Sequence, residues 1–201
     1  MNLKKITFFF FFPIIINSCS SNIENKSVFL KYPDNIARLD GKHAVFIPKN
    51  SFQILQNVGS DDCESWNLKI NFDKLFNESY RGLINKMTSD LVFVDTKLTK
   101  KDLEQDNFSS FIYFKDSKVI LDFRTIRNTG KLKITLISEI DLEGANKKIN
   151  NTLKSEQSWE KNIYLNCNVV DGAIKISERA FESLLKQVHE NIYKSIQSII
   201  R

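Results

Sequence analysis

This sequence of 201 residues has few of the residues from which enzyme and metal sites are built. It contains two histidines and three cysteines, and neither an H-x-x-x-H nor a C-x-x-C spacing occurs, so no zinc-site pattern is present. Its six glycines form no G-x-x-x-x-G-K loop for phosphate and no G-x-S-x-G nucleophile motif. The sequence therefore predicts a protein that is not an enzyme and that has no catalytic residue, cofactor or metal site.

The hydrophobic run near the start of the chain is too short to cross a membrane. It extends over Ile6–Ile16, 11 residues, whereas a membrane-spanning helix needs about 20. Lys4 and Lys5 precede it, and a small, polar stretch (residues 17–22) follows. A short basic N-terminal region, a short apolar region and a small-residue region after it are typical of a secretory signal peptide. We therefore predict that residues 1–18 are a signal peptide.

The end of this signal, Ile-Asn-Ser-Cys at residues 16–19, resembles the lipobox of bacterial lipoproteins. The resemblance implies that Cys19 becomes the mature N-terminus and carries three acyl chains, and two or more chains anchor a protein stably to a membrane. Because Ser20 rather than Asp follows the cysteine, the family's sorting rule implies the outer membrane. The alternative is ordinary cleavage near this point with a free Cys19.

The remaining two cysteines, Cys63 and Cys167, form an even set in an exported protein. Disulfides form and persist in such oxidising compartments, so we predict a bridge between them. A loop of about 100 residues closed in this way is worth about 4.7 kcal/mol in the chain-entropy model. Two separately buried thiols are the alternative.

The basic charge of the chain does not indicate a nucleic-acid partner. There are 29 Lys and Arg residues against 24 Asp and Glu residues, and Lys4 and Lys5 leave with the signal peptide. An exported protein meets no nucleic acid, so a membrane, with its anionic lipid or lipopolysaccharide, is the more sensible partner for this mild excess.

The rest of the chain divides into a tether and one domain. Residues 19–41 are mostly polar with one short apolar patch, and we predict a lipidated cysteine followed by a flexible tether, with docking of a few tether residues on the domain left open. For residues 42–201 we predict a single domain. Helical spacing at residues 75–87, capped by Asn71 or Asp73, interrupts a series of strand patterns. The predicted strands are HAVFIP, SWNLKINF, LVFVDT, FSSFIYF, KVILDFRT, KLKITLISEIDL and IYLNCNV. The stretch SFQILQNVGSDDC is predicted to continue HAVFIP in extended form, and turns are predicted at residues 59–62, 115–117 and 128–130.

The end of the chain carries the strongest helical pattern. From Asp171 onward apolar residues recur at gaps of three and four, which predicts a helix of about 28 residues with one apolar stripe. Packing of that stripe on the sheet is the favoured interpretation, and binding of a partner is the other. Residues 147–160 suit an edge strand, although a helix is not excluded. The predicted fold is α+β, with two helices on one face of a mostly antiparallel sheet.

This element order is similar to that of small envelope lipoproteins. The similar proteins are those of the YajG type, the amino-terminal domain of TolB, and the lipoprotein of the lipopolysaccharide-assembly machine. The similarity covers most of the mature chain but rests on element order. It implies a location in the bacterial cell envelope and transfers no function by itself.

The few residues that could take part in catalysis or metal binding are more simply explained as parts of the fold. His43 and His189 are predicted to be solvated or partly packed, and the pairs Cys63 with His43 and Cys167 with His189 have no spacing that favours a thiol hydrolase. The acids Glu139, Asp141 and Glu143 share one face of a strand, which predicts a solvated face more than a cation site.

Two functions are consistent with these features. The first is a non-enzymatic accessory or scaffold lipoprotein that holds a protein partner in outer-membrane assembly or transport, through a sheet edge or the long helix. The alternative is a periplasmic carrier that binds a lipid or other apolar ligand between helices and sheet. Its lining would be Phe111, Phe114, Phe123 and Phe181, which are otherwise plain core. A cavity above about 300 Å³ at that place would favour the carrier.

Overall fold

The computed structural model describes residues 20–22, 30–49, 52–59, 67–162 and 170–200. These residues form one α+β domain with a six-stranded sheet, a separate pair of short strands and three helices, which confirms the predicted fold class and adds one helix. In chain order the elements are β1 (Ser20–Asn22), β2 (His43–Phe46), β3 (Phe52–Gly59), β4 (Asn67–Lys69), α1 (Phe72–Met87), β5 (Leu91–Phe93), α2 (Lys100–Gln105), β6 (Ser110–Ile126), β7 (Thr129–Glu143), β8 (Lys148–Asn162) and α3 (Val170–Ile200).

Strand pairing differs between the two halves of the sheet. β6, β7 and β8 form a long antiparallel meander, and this makes the sheet mostly antiparallel, as predicted. β2 and β3 both run parallel to β6, one after the other along the same edge, and β5 runs parallel to β2. Parallel neighbours require a crossover connection, and the chain from β2 to β5 makes one through α1.

The turn predicted at residues 115–117 is wrong, because the structure has a β-bulge there within one strand. Between Phe114 and Ser117, β6 advances by three residues while β7 advances by two. The extra residue reverses the alternation of side chains along the strand. Phe114 before the bulge and Val119 after it consequently both belong to the core on the helix side. The polar residues at 115–117 predicted a turn, but the strand continues there with a shift in its register against β7.

The strand β8 resolves the choice between strand and helix that the sequence left open. Ile149, Leu153 and Trp159 lie on the face toward the core, and the side chains of the opposite parity, from Lys148 to Glu160, are exposed. Trp159 lies over Gly172 in the first turn of α3, where a Cβ atom would overlap the indole ring. Glycine at this position therefore allows the start of α3 to approach the sheet closely.

Helix α1 begins at the residue that the capping pattern predicts. The Asn71 side chain accepts a hydrogen bond from the Lys74 N–H at 3.0 Å, so Asn71 rather than Asp73 is the cap. The buried residues of α1 recur at helical spacing and face the sheet and α3. They are Phe72, Phe76, Ser79, Tyr80, Leu83, Ile84 and Met87.

The short helix α2 was not predicted. Thr99 and Asp102 form a capping box at its start, and Leu103 is its one buried residue. Leu103 packs with Ala44 and Phe111, whose neighbours along β2 and β6 face the other way into the main core. Helix α2 therefore covers the opposite face of the sheet, and six residues with one apolar side chain are too few to show a period.

The long helix α3 packs its apolar stripe against β7 and β8, as predicted. It has 31 residues, and the fully buried members of the stripe are Ala173, Ile176, Ala180, Phe181, Leu184, Leu185, Val188, Ile192 and Ile196. Within the described residues, no helix combines the length and hydrophobicity that crossing a membrane requires.

Two other predicted strands have different outcomes. The pattern at residues 65–72 forms only the short strand β4, which pairs in parallel with β1. The strand predicted at residues 163–169 lies outside the described residues.

Candidate functional site

The three cysteines lie outside the described residues, so lipidation of Cys19 and a bridge between Cys63 and Cys167 stay predictions. The chain next to Cys19 is described. It forms β1, in which Ser20 pairs with Asn67 of β4. The first residues after the predicted anchor therefore lie beside the strand that leads into α1.

Residues 30–41, which we call the docking segment, pack against both helices on the main core. Leu39 is 5% exposed, and its N–H donates to the Met87 carbonyl at 2.7 Å at the end of α1. Leu30 and Ile36 are partly buried against the same core. Although the sequence predicted a flexible tether up to residue 41, the chain from Leu30 onward is part of the folded unit.

Tyr32 holds the middle of the docking segment on α1. Its hydroxyl donates to the Glu78 carbonyl at 3.3 Å, and its ring lies 5.4 Å from the Lys86 ammonium. A Cβ atom at Gly82 would overlap the Tyr32 hydroxyl, so this glycine makes room for the ring despite costing the helix about 1 kcal/mol relative to alanine. Burial and, to a smaller extent, the Glu78 carboxylate raise the pKa of Tyr32, which keeps the hydroxyl neutral as a donor.

His189 of α3 holds the docking segment near its other end. Its Nε2 accepts a hydrogen bond from the Ala37 N–H at 2.9 Å, and the side chain is buried. A ring nitrogen that accepts carries no proton, so Nδ1 is the protonated nitrogen of this neutral ring. Lys31 and Glu182 add an ion pair at 3.2 Å between half-exposed side chains, which contributes little by itself.

A groove of about 350 Å³ lies between the docking segment and α3. Its charged groups are Lys31 and Asp34 on the segment and Glu182, Lys186 and Glu190 on the helix. Because cations and carboxylates alternate around it, the groove does not select a ligand by charge.

A second cleft of about 430 Å³ lies at the far end of the meander. Its charged groups are paired, with Arg124 3.1 Å from Asp122 and Lys131 3.2 Å from Glu160. A ligand of either charge would have to displace one of these pairs, so this cleft is a weak candidate for binding.

His43 is fully buried rather than solvated or partly packed. Its Nε2 N–H donates to the Asp40 carbonyl at 3.1 Å, which leaves Nδ1 to accept from the Ser110 hydroxyl at 2.9 Å. A hydroxyl bonded to a histidine nitrogen is the arrangement of nucleophile and base in hydrolases. Ser110 is also fully buried, so a substrate has no access to it and the pair holds β2 on β6.

The burial of His43 predicts a loss of stability in mild acid. Burial lowers the pKa of His43, and the bond to Asp40 and the Asp90 carboxylate oppose this only in part. The unfolded chain therefore takes up a proton at a pH at which the folded chain does not. We expect the free energy of unfolding to fall as the pH drops below about 6.5, and denaturant titrations at several pH values measure it.

The matched variants separate this effect from other titrating groups. His43→Gln should flatten the dependence on pH below about 6.5, although its stability at neutral pH is lower. His189→Gln, at the other histidine, should keep the His43 component. An unchanged slope in His43→Gln would contradict the assignment.

The acids on β7 form ion pairs with lysines along one strand face. Glu139 lies 3.8 Å from Lys115, and Lys148 lies 3.5 Å from Asp141 and 3.9 Å from Glu143. The three carboxylate side chains are only partly exposed, from 14% for Asp141 to 32% for Glu139. Within the described residues, no group of three His, Cys, Asp or Glu side chains is placed to hold a metal ion.

The phenylalanines that would line a carrier are packed in the core. Phe114 stacks on Tyr80 with ring centroids 4.1 Å apart, and Phe181 meets Phe76 edge-on at 4.9 Å. Phe111 lies on the opposite face of the sheet, under α2. The structure thus brings together Phe114, Phe123 and Phe181 in one core and places Phe111 in another.

The docking segment is the functional feature that sequence reasoning missed. Its apolar residues Leu30, Tyr32, Ile36 and Leu39 are separated by two to four positions and fit neither a strand nor a helix. Gly82 within a strong helical pattern is the one local signal, because an interior glycine often has a packing reason.

No protein-family model and no curated protein matches this chain. Among solved structures it is similar to a minor lipoprotein from Acinetobacter baumannii, with 9% identity, 78% of this chain and 94% of that chain covered, and a TM-score of 0.44. It is also similar to a putative neuraminyllactose-binding hemagglutinin homolog from Helicobacter pylori, with 13% identity, coverage of 86% and 97%, and a TM-score of 0.44.

A lipoprotein from Neisseria meningitidis is similar at 8% identity, with coverage of 74% and 99% and a TM-score of 0.30. The structures that this chain is similar to therefore include bacterial lipoproteins. At this level of similarity, no residue or activity carries over from them.

Proposed function

We propose that this protein is a lipid-anchored lipoprotein of the bacterial cell envelope, held at the outer membrane and facing the periplasm. In this proposal it is a non-enzymatic accessory that holds a protein partner of outer-membrane assembly or transport. The docking segment is the observation that carries the proposal. It attaches the anchor side of the chain to α1 and α3, so the domain keeps one orientation relative to residues 30–41.

The distance between the predicted anchor at Cys19 and the docking segment is limited as well. Cys19 and Leu30 are 11 residues apart, which at about 3.5 Å per residue spans at most about 40 Å. A domain held close to a membrane in one orientation offers a partner a preorganised surface, and preorganisation lowers the cost of binding. A carrier that shuttles an apolar ligand gains nothing from such attachment.

The edge strand β3 is the surface that fits a protein partner. It is uncharged over its eight residues, and Ile54 and Leu55 are 46% and 52% exposed. The opposite edge, β8, carries lysines and glutamates, which natural sheets use to block strand addition. Within the described residues β3 pairs with β6 alone, and a partner strand could extend the sheet there by main-chain hydrogen bonds. Helix α3 is the weaker candidate because its stripe is buried.

A photo-crosslinking amino acid at position 55 tests this proposal in cells with Cys19 intact. We expect one discrete protein adduct from position 55, and its loss when Ile54→Lys places a charge on the same edge. The matched control is the same crosslinker at Lys154, which is exposed on β8. A lipid adduct, or equal protein adducts from both positions, would contradict the proposal.

The predicted bridge between Cys63 and Cys167 has its own test. In the native protein both thiols should resist alkylation until a reductant is added, and Cys63→Ser with Cys167→Ser should lower the free energy of unfolding by about 2–5 kcal/mol. Mass spectrometry of alkylated peptides measures the first and denaturant titration the second. Ready labelling of both cysteines without reductant would remove the bridge.

A further inference from the structure

The hydrogen bond between His189 and Ala37 is the contact of the docking segment that depends on a proton. Its geometry requires a neutral imidazole, because Nε2 serves as the acceptor at 2.9 Å from the Ala37 nitrogen. We propose that protonation of His189 releases the chain around Ala37 from α3, so that His189 acts as a pH-sensitive latch on the docking segment.

Protonation of His189 turns the acceptor Nε2 of this hydrogen bond into a donor. An imidazolium has two N–H donors and no acceptor, so the Ala37 N–H and the Nε2–H would face each other. The side chain is buried between the segment and α3, and water therefore does not replace the lost acceptor while the segment stays docked. Undocking removes the contact between the two N–H donors, and it exposes the Ala37 amide and the imidazolium ring to water.

Charged groups on both elements line the groove beside the ring. On α3 these groups are Glu182, Lys186 and Glu190, and on the docking segment they are Lys31 and Asp34. Lys31 and Glu182 are paired with each other at 3.2 Å. Asp34, Lys186 and Glu190 are the other charged groups of the groove, and the variants below test the two carboxylates.

The latch has a defined limit along the chain. Leu39 stays in place because its N–H is bonded to the Met87 carbonyl and its side chain is in the core, and neither contact titrates. The Tyr32 hydroxyl likewise stays bonded to the Glu78 carbonyl, a contact that does not involve His189. Release thus frees the chain between Tyr32 and Leu39.

Hydrogen exchange of the full mature chain tests the latch directly. We expect protection of the Ala37 amide, relative to its intrinsic exchange rate, to fall about tenfold between pH 8 and pH 5, the range in which histidine takes up a proton. The Leu39 amide is the internal control, and its protection should fall only as far as the loss of global stability that His43 predicts. His189→Gln places a neutral acceptor near the position of Nε2, so in this variant the protection of Ala37 should change with pH no more than that of Leu39.

Two further variants exclude the carboxylates as the cause. Asp34→Asn and Glu190→Gln should both retain the response to pH. The proposal is overturned if wild-type protection at Ala37 is constant over this range, or if His189→Gln responds in the same way as wild type. These outcomes do not depend on lipidation, since failure of the anchor at Cys19 would change membrane association and leave the exchange result intact.

Discussion

The Cys19→Ser variant is expected to move from the membrane fraction to the soluble fraction of cells. Serine cannot carry the thioether-linked lipid. Two or more acyl chains make attachment stable, so their loss should leave little protein on the membrane. Ultracentrifugation followed by immunoblotting measures the distribution, and the intact mass of the wild-type protein reports the acyl chains directly.

The matched control for this prediction is Cys63→Ser. It removes a cysteine that we predict to be in a disulfide rather than acylated, and it should leave membrane association unchanged even where it lowers the stability of the domain. Unchanged association of Cys19→Ser would refute lipidation at this residue. Release of both variants would show that attachment does not depend on Cys19 alone.

Phe181→Ala should destabilise the domain more than other single changes on α3. Phe181 is fully buried where α3 meets α1, with its ring 4.9 Å from that of Phe76 and 6.4 Å from that of Phe72. Removing a buried phenylalanine ring loses its transfer free energy and leaves a cavity, at a cost of about 3–5 kcal/mol. Denaturant titration of the full mature chain measures the change, and marginal domains are expected to unfold at 37 °C.

An exposed residue provides the control for this change. Ile126 is 56% exposed at the β6–β7 hairpin, so Ile126→Ala should change the free energy of unfolding by less than about 0.5 kcal/mol. Phe181→Leu should fall between the two, because it removes fewer contacts. Equal losses for Phe181→Ala and Ile126→Ala would show that α3 does not join α1 in the core.

Elements with a strong local period were predictable. Helix α3 repeats its apolar residues over eight turns, and β7 alternates them over 15 residues, so in each case the pattern names both the element and its buried face. For the start of α1 the sequence predicted two alternative caps, Asn71 and Asp73, and the structure shows that Asn71 is the cap, with its partner three residues away. These signals are local, and packing on the sheet agrees with them.

Features that depend on distant partners were not predictable. The bulge at Phe114 exists because β6 must keep one face on the helices while it pairs with β7 and, in succession, with β2 and β3. The short sequences of β2 and β3 contain no pattern from which their parallel pairing with β6 could be predicted. The contact of Ala37 with His189 joins residues 152 positions apart.

The sequence by itself determined a signal-like start whose residues 16–19 resemble a lipobox, a meander and a long amphipathic helix. Each of these features is formed by contiguous residues, and the order and spacing of those residues are enough to predict it. Only the tertiary structure decided that residues 30–41 are docked, that His43 is buried on Ser110, and that His189 holds the segment. Those outcomes come from which surfaces meet when the core closes, and the residues involved have no common spacing along the chain.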